Sequence, residues 1–222
     1  MDTINQFYLQ EIDRADTRAY KHMIIQGIMM NFLYDQHSTA QYLIGRGKLD
    51  DVFCFIFENI SSMNKDFEIK RLVIGLSALT LNESSLNLDQ GVTSKFPQCM
   101  KAIVFLCLRS IEVRQKNEEK AQKQQLKEQQ GVDQAVIYDE DEDESGHQYE
   151  EDLDDDSEDD WSLEDDEEAN NDLYDTKLDK IDEIVHVVDM LSGLQNSNKS
   201  YFDSLMSFLD QNEQQSIGNL YN

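Results

Sequence analysis

Phe67-Glu68-Ile69-Lys70-Arg71-Leu72-Val73-Ile74-Gly75-Leu76-Ser77-Ala78-Leu79-Thr80-Leu81 is the stretch from which the fold is read. Ile69, Leu72, Val73, Leu76 and Leu79 recur at spacings of three and four, which puts them on one face of a helix. Gly75 sits beside that stripe and, without a Cβ, permits a second helix to come close. Asn64 and Asp66 mark a tight turn just upstream. Before the turn, Asp50 to Met63 reads as another helix, with Val52, Phe53, Ile56, Phe57 and Ile60 on one broad face. A connection this short makes the two helices antiparallel neighbours.

The same reading extends in both directions. Thr3–Arg14 is expected as a helix with Ile4, Phe7, Tyr8, Leu9 and Ile12 apolar. Thr17–Tyr34 follows, capped by Asp16 or Thr17, with Tyr20, Met23, Ile24, Gly27, Ile28 and Phe32 on its apolar face. A polar loop then leads to a break at Gly45-Arg46-Gly47. Downstream, Asn82–Thr93 reads as a polar loop. A helix opens near Ser94 with Pro97 in its first turn, where the missing N–H costs little. That helix continues through Met100, Ile103, Val104, Cys107, Leu108 and Ile111. Helices are also expected at Leu178–Leu194, Lys199–Leu209 and Asn212–Leu220. Each neighbouring pair has an apolar face it cannot bury alone, and the pairs recur at a period of roughly 45 residues, as armadillo and HEAT repeats do. The expected fold class is therefore all-α: a HEAT-like α-solenoid of antiparallel helix pairs, with a compact bundle as the alternative.

The charge is confined rather than spread. The 222 residues hold 46 acidic and 19 basic side chains, a net charge of −27. Residues 139–175 contain 22 of the acids and no Lys or Arg, so the rest carries 24 acids against 19 bases. A block of that kind has too little apolar surface to offset its ordering entropy, and its charges repel one another. It is expected as a long disordered acidic loop interrupting the helices. The division that follows is 1–114 as helical repeats, 115–176 as a charged linker holding the acidic tract at 139–175, and 177–222 as C-terminal helices packing on the solenoid. Gln115–Gln130, rich in Gln, Lys and Glu, is expected as a solvated extension of the preceding helix.

The acidic tract is interleaved with Tyr138, Tyr149, Leu153, Leu163, Leu173 and Tyr174, and with the single tryptophan, Trp161. Acid with isolated aromatics suits a basic, partly apolar protein surface. The candidate contact residues are Asp154, Asp155, Asp156, Glu158, Asp159, Asp160, Trp161, Glu164, Asp165 and Asp166. A solubilising linker that binds nothing is the other reading of the same residues. Phosphates of nucleic acid would meet a negative surface, so no direct nucleic-acid partner is expected. The longest apolar run, Ala102–Leu108, is far short of the roughly 20 residues a bilayer requires, so no membrane insertion is expected. The N-terminal residues are polar and acidic, unlike a secretory signal.

Catalytic and metal chemistry is not legible. His22, His37, His147 and His186 are expected on the surface or on helix faces, none at ligand spacing from Cys, His or Asp. Cys54, Cys99 and Cys107 lie in apolar stretches without CxxC spacing and are expected as buried thiols. No nucleotide-binding, zinc-protease or nucleophile-elbow motif occurs. Asp139, Asp141, Asp143, Ser145, His147 and Glu150 fall on the ligand positions of an EF-hand loop, but Glu144 stands where the sharp turn requires glycine. No cofactor, no metal and no enzymatic activity are expected.

Three stretches carry a resemblance. The first is Met30-Asn31-Phe32-Leu33-Tyr34 closing a helix, then a polar loop and Asp50-Asp51-Val52-Phe53-Cys54-Phe55. The second is Lys70 to Leu79, with its Gly75-Leu76. The third is an order of parts: a long helix at Phe96–Arg114, an acidic tract with Asp159-Asp160-Trp161, then final helices that include Tyr201-Phe202-Asp203-Ser204-Leu205. In that order the chain resembles the C-terminal region of the importin seven/eight subfamily of the importin-β (karyopherin) superfamily. The resemblance implies HEAT repeats and a nuclear import receptor. It would carry basic cargo such as ribosomal proteins and histones, release it to Ran-GTP, and shuttle between cytoplasm and nucleus. It also raises nuclear-pore phenylalanine-glycine repeats and importin β as partners. Family members are several times longer, and their Ran-GTP site lies in N-terminal repeats that have no counterpart here. The chain is then a fragment of a receptor or a stand-alone piece. A free-standing acidic chaperone for basic proteins is the alternative function.

Overall fold

The structure is a computed structural model that describes residues 2–129, 178 and 180–221. The described residues up to Ala121 and from residue 180 onward belong to one compact unit. The acidic tract at 139–175, and with it the expected disordered loop, lies outside the described residues.

Among the described residues the regular structure is helical and no strand occurs. The helices are α1 (Asp2–Ile12), α2 (Arg18–Tyr34), α3 (Gln36–Gly45), α4 (Leu49–Asn59), α5 (Asp66–Thr80), α6 (Gln90–Thr93), α7 (Phe96–Gln129), α8 (Glu183–Ser197), α9 (Lys199–Met206) and α10 (Gln211–Leu220). Short 3-10 turns occupy Ile60–Ser62 and Glu83–Asn87. All-α is thus the class of the described chain.

Helix starts follow the side chains that can accept from free backbone amides. Thr17 caps α2 by accepting from the Tyr20 amide, so Thr17 rather than Asp16 takes that role. Asp182 accepts from the amides of Ile184 and Val185 at 2.9 and 3.0 Å and starts α8. Asn198 caps α9, and Asp210 with Glu213 makes a reciprocal capping box on α10.

Two expected loops are partly helical. The polar loop after Tyr34 is α3, which Asp35 starts by accepting from the Ser38 amide at 3.0 Å. Its Thr39, Ala40 and Leu43 are buried on one side, too few to produce a helical stripe. In the Asn82–Thr93 loop, Asn82 and Asp89 cap the 3-10 turn and α6, and the buried Leu88 and Val92 pin it down.

The core is one continuous cluster whose centre is the α2–α5 seam. Ile24, Ile25, Met29 and Phe32 of α2 meet the expected α5 stripe, and Ile69, Leu72, Val73, Leu76 and Leu79 are all fully buried. Truncating one such leucine to alanine costs about 2–5 kcal/mol. Gly75 is where the seam is tightest: a Cβ there would lie 2.8 Å from Met29 Cβ and 3.1 Å from Met29 O. The close approach expected at Gly75 is therefore made by α2. α5 also packs on α8, and α8 on α9. The Tyr201 hydroxyl of α9 donates to the carbonyl of Thr80 at the end of α5, at 2.7 Å.

α1 departs from its sequence reading. Ile4 and Phe7 are about half exposed, and the one fully buried residue of α1 is Asn5. Asn31 Nδ2 donates to Asn5 Oδ1 at 2.9 Å, so a polar pair tethers α1 to α2. In α7 the buried positions run from Phe96 to Ser110, and residues 115–123 are exposed, in keeping with a solvated extension.

Candidate functional site

All ten residues expected to contact basic protein, from Asp154 to Asp166, lie outside the described residues. The described unit offers three polar arrangements of its own.

The first is centred on Arg114 of α7. Its Nη2 donates to both carboxylate oxygens of Glu183 at 2.7 Å, and its Nη1 to Asp182 Oδ2 at 2.8 Å. Asp66 Oδ1 stands 3.6 Å from its Nε. Ser110 also donates to Glu183, which is fully buried at the first position of α8. Burial alone would raise the Asp182 carboxyl. The amide donors of Val185 and Ile184 and the Arg114 guanidinium outweigh it, so the group lies below the usual carboxylate range. One guanidinium thus ties α5, α7 and α8 together.

The second is His22 of α2. Its Nδ1 is 3.0 Å from Glu68 Oε2 and its Nε2 is 2.7 Å from Ser62 Oγ. Of the two placements expected, surface or helix face, His22 takes the second, on a buried face of α2, and Glu68 is buried with it. The arrangement of acid, imidazole and hydroxyl resembles a nucleophile with its base. However, the Ser62 hydroxyl lies 2.8 Å from the Asn59 carbonyl and can donate to it within its own turn. Arg18 donates to the Ser62 carbonyl. The group therefore joins α2, the 3-10 turn and α5 at one end of the seam. His37 is exposed beside Gln41, and burial lowers the pKa of the half-buried His186. His147 lies outside the described residues.

The third is an open groove of about 440 Å³ between α4 and the start of α7. Phe53 and Phe57 line its apolar side, and Asp50, Cys54 and Glu58 form a parallel row on α4. Lys95 and Gln98 stand opposite, with Lys95 paired to Asp50. Cys54 was expected to be buried and is instead exposed, with its thiol donating to Glu58 Oε1 at 3.1 Å. That hydrogen bond and the nearby charge raise the Cys54 pKa. Cys99 and Cys107 are buried as expected, and desolvation pushes both thiols up to about 12. Sequence reading passed over this groove because its two walls are some 40 residues apart. The one local signal was the four-residue spacing of Asp50, Cys54 and Glu58.

Among the described residues there is no cluster of His, Cys, Asp and Glu arranged to hold a metal, and no helix is long and apolar enough to cross a membrane. Comparison of the chain with protein-family models, with curated proteins and with solved structures returns no match in any of the three.

Proposed function

We propose that this chain is the C-terminal part of a nuclear import receptor that carries basic protein cargo, ribosomal proteins or histones, in a Ran-GTP-dependent cycle between cytoplasm and nucleus. In this reading the helices form a HEAT-like solenoid and the acidic tract at 139–175 is an unfolded strap. The observation that carries it is the segregation of charge. The tract holds 22 acids and no Lys or Arg, and the remainder of the chain is close to balanced. A concentrated, unfolded anion raises the encounter rate with a basic partner and shields its charge, while the helices supply a stiff support. Asp154–Asp156, Glu158–Trp161 and Glu164–Asp166 are the proposed grip. Contact with Ran would run through repeats outside this chain. Nuclear-pore phenylalanine-glycine repeats and importin β are further partners in the same reading, as the family resemblance implies.

The test measures affinity for a core histone dimer over a range of salt, with the intact chain and with a variant whose acids from Asp154 to Asp166 are changed to Asn or Gln. The expected result is weaker binding and a flatter salt dependence in the variant, because exposed charge contacts are screened. Equal affinity at low salt overturns the reading. The second reading, a free-standing acidic chaperone, rests on the same tract and needs no transport cycle. Suppression of histone–DNA aggregation by this chain alone would favour it.

A further inference from the structure

The groove between α4 and the start of α7 has the chemistry of a receptor for one short basic segment. Along α4, the partly exposed ring of Phe57 gives the groove its apolar floor, and Phe53, 1% exposed and part of the core, backs it from beneath. One position further round, Asp50, Cys54 and Glu58 form a row at four-residue spacing. Asp50 and Glu58 are eight residues apart, which at the helical rise is about 12 Å. The lining holds two carboxylates against one ammonium, that of Lys95. Lys95 occupies one oxygen of Asp50, but the Asp50 side chain is 83% exposed and can accept a second cation. Glu58 is exposed as well and accepts from the Cys54 thiol, a weak donor.

We propose that this groove binds an extended segment of the form Lys/Arg-x-apolar-x-Lys/Arg, with the apolar side chain on the Phe57 ring and the two cations on Asp50 and Glu58. In an extended chain the first and fifth residues are about 13 Å apart, which matches the carboxylate spacing. The first, third and fifth side chains also point the same way, so the central apolar residue reaches the floor when the flanking cations reach the rim. An uncharged aromatic segment would leave both carboxylates unused. The inference rests on the reading of the chain as a carrier of basic protein. It adds a defined contact on the helical body to the diffuse one made by the acidic tract.

Cys54 reports on occupancy directly, since it lies inside the groove and is the exposed one of the three thiols. The experiment alkylates the intact chain with iodoacetamide and follows Cys54 by mass spectrometry. The probes are three peptides: Gly-Lys-Ser-Leu-Ser-Lys-Gly, the same peptide with Leu changed to Ser, and the uncharged Gly-Ser-Phe-Ser-Gly. With the leucine peptide at ten times its Kd, Cys54 is expected to react roughly tenfold more slowly, because only the free fraction reacts. The serine peptide is expected to give little protection. Glu58→Gln, a surface change, is expected to weaken protection by the leucine peptide, read as the ratio of rates with and without it. Phe57→Ala should abolish the protection.

No protection by the leucine peptide overturns the proposal. So does equal protection by the serine peptide, which would make the effect one of charge alone, and so does protection by the uncharged peptide that matches the leucine one. None of these outcomes touches the acidic tract, whose role fails separately if neutralising it leaves histone binding unchanged.

Discussion

Arg114 Nη2 holds both carboxylate oxygens of Glu183 at 2.7 Å, and Glu183 has no exposed surface. The pair joins α7 to α8 across 69 residues of sequence, at the point where burial along α7 ends. Removing the guanidinium leaves a carboxylate in the interior without its charge partner, and that is costlier than never having had the pair. Arg114→Leu is expected to lower stability by about 3 kcal/mol in urea titrations. The double variant with Glu183→Leu should recover much of that. A single variant as stable as the parent would show that Glu183 finds another partner.

Gly75 and Gly27 are both tight positions, but for different reasons. At Gly75 a Cβ would meet Met29 Cβ and backbone, which cannot move without separating α2 from α5. At Gly27 it would meet the far end of the Tyr8 ring, which can swing away. Gly75→Ala should therefore cost about 1–3 kcal/mol by overpacking. Gly27→Ala should change stability by less than about 1 kcal/mol, because alanine's better helix propensity offsets the displaced ring. Thermal melts of the two variants separate these outcomes.

Asp182 predicts a pH dependence. Its folded-state pKa is lowered, so its contribution is fully present above the unfolded value of roughly 3.9 and is lost as pH falls through the folded value. Asp182→Asn keeps the α8 cap, since Asn caps about as well as Asp, and removes the charge opposite Arg114. The variant should be less stable at pH 7, converge on the parent as the pH falls through the folded-state pKa of Asp182, and show a shallower acid limb in circular dichroism. Parallel acid limbs would place the acid sensitivity elsewhere.

The helices were legible where burial is one-sided and apolar. The α5 stripe from Ile69 to Leu79 is buried as its spacing requires. α3 was missed because its buried face is Thr39, Ala40 and Leu43, and the usable signal was its Asp35–Ser38 cap. The burial of His22 was not legible because its partner Glu68 is 46 residues away, and only tertiary packing brings them together. Cys54 was misread for the opposite reason. The surrounding Val52, Phe53, Ile56 and Phe57 are apolar enough to hide the fact that position 54 points outward. The acidic tract was the plainest feature of the sequence, yet its candidate contacts fall outside the described residues, so charge alone speaks for them.

The cysteines give the last prediction. Only the thiolate attacks an alkylating reagent, and burial denies Cys99 and Cys107 both ionisation and access. Native protein at pH 8 should therefore take up one equivalent of iodoacetamide, at Cys54, and denatured protein three. Cys54 should itself react more slowly than a free thiol. Its hydrogen bond to Glu58, together with that carboxylate's charge, favours the protonated form. Glu58→Gln removes the charge and is expected to speed the reaction several-fold, with the pH–rate profile shifted to lower pH. An unchanged profile would mean that the Glu58 carboxylate does not govern the thiol, and rapid labelling of Cys99 or Cys107 in native protein would mean that the α7 core opens readily.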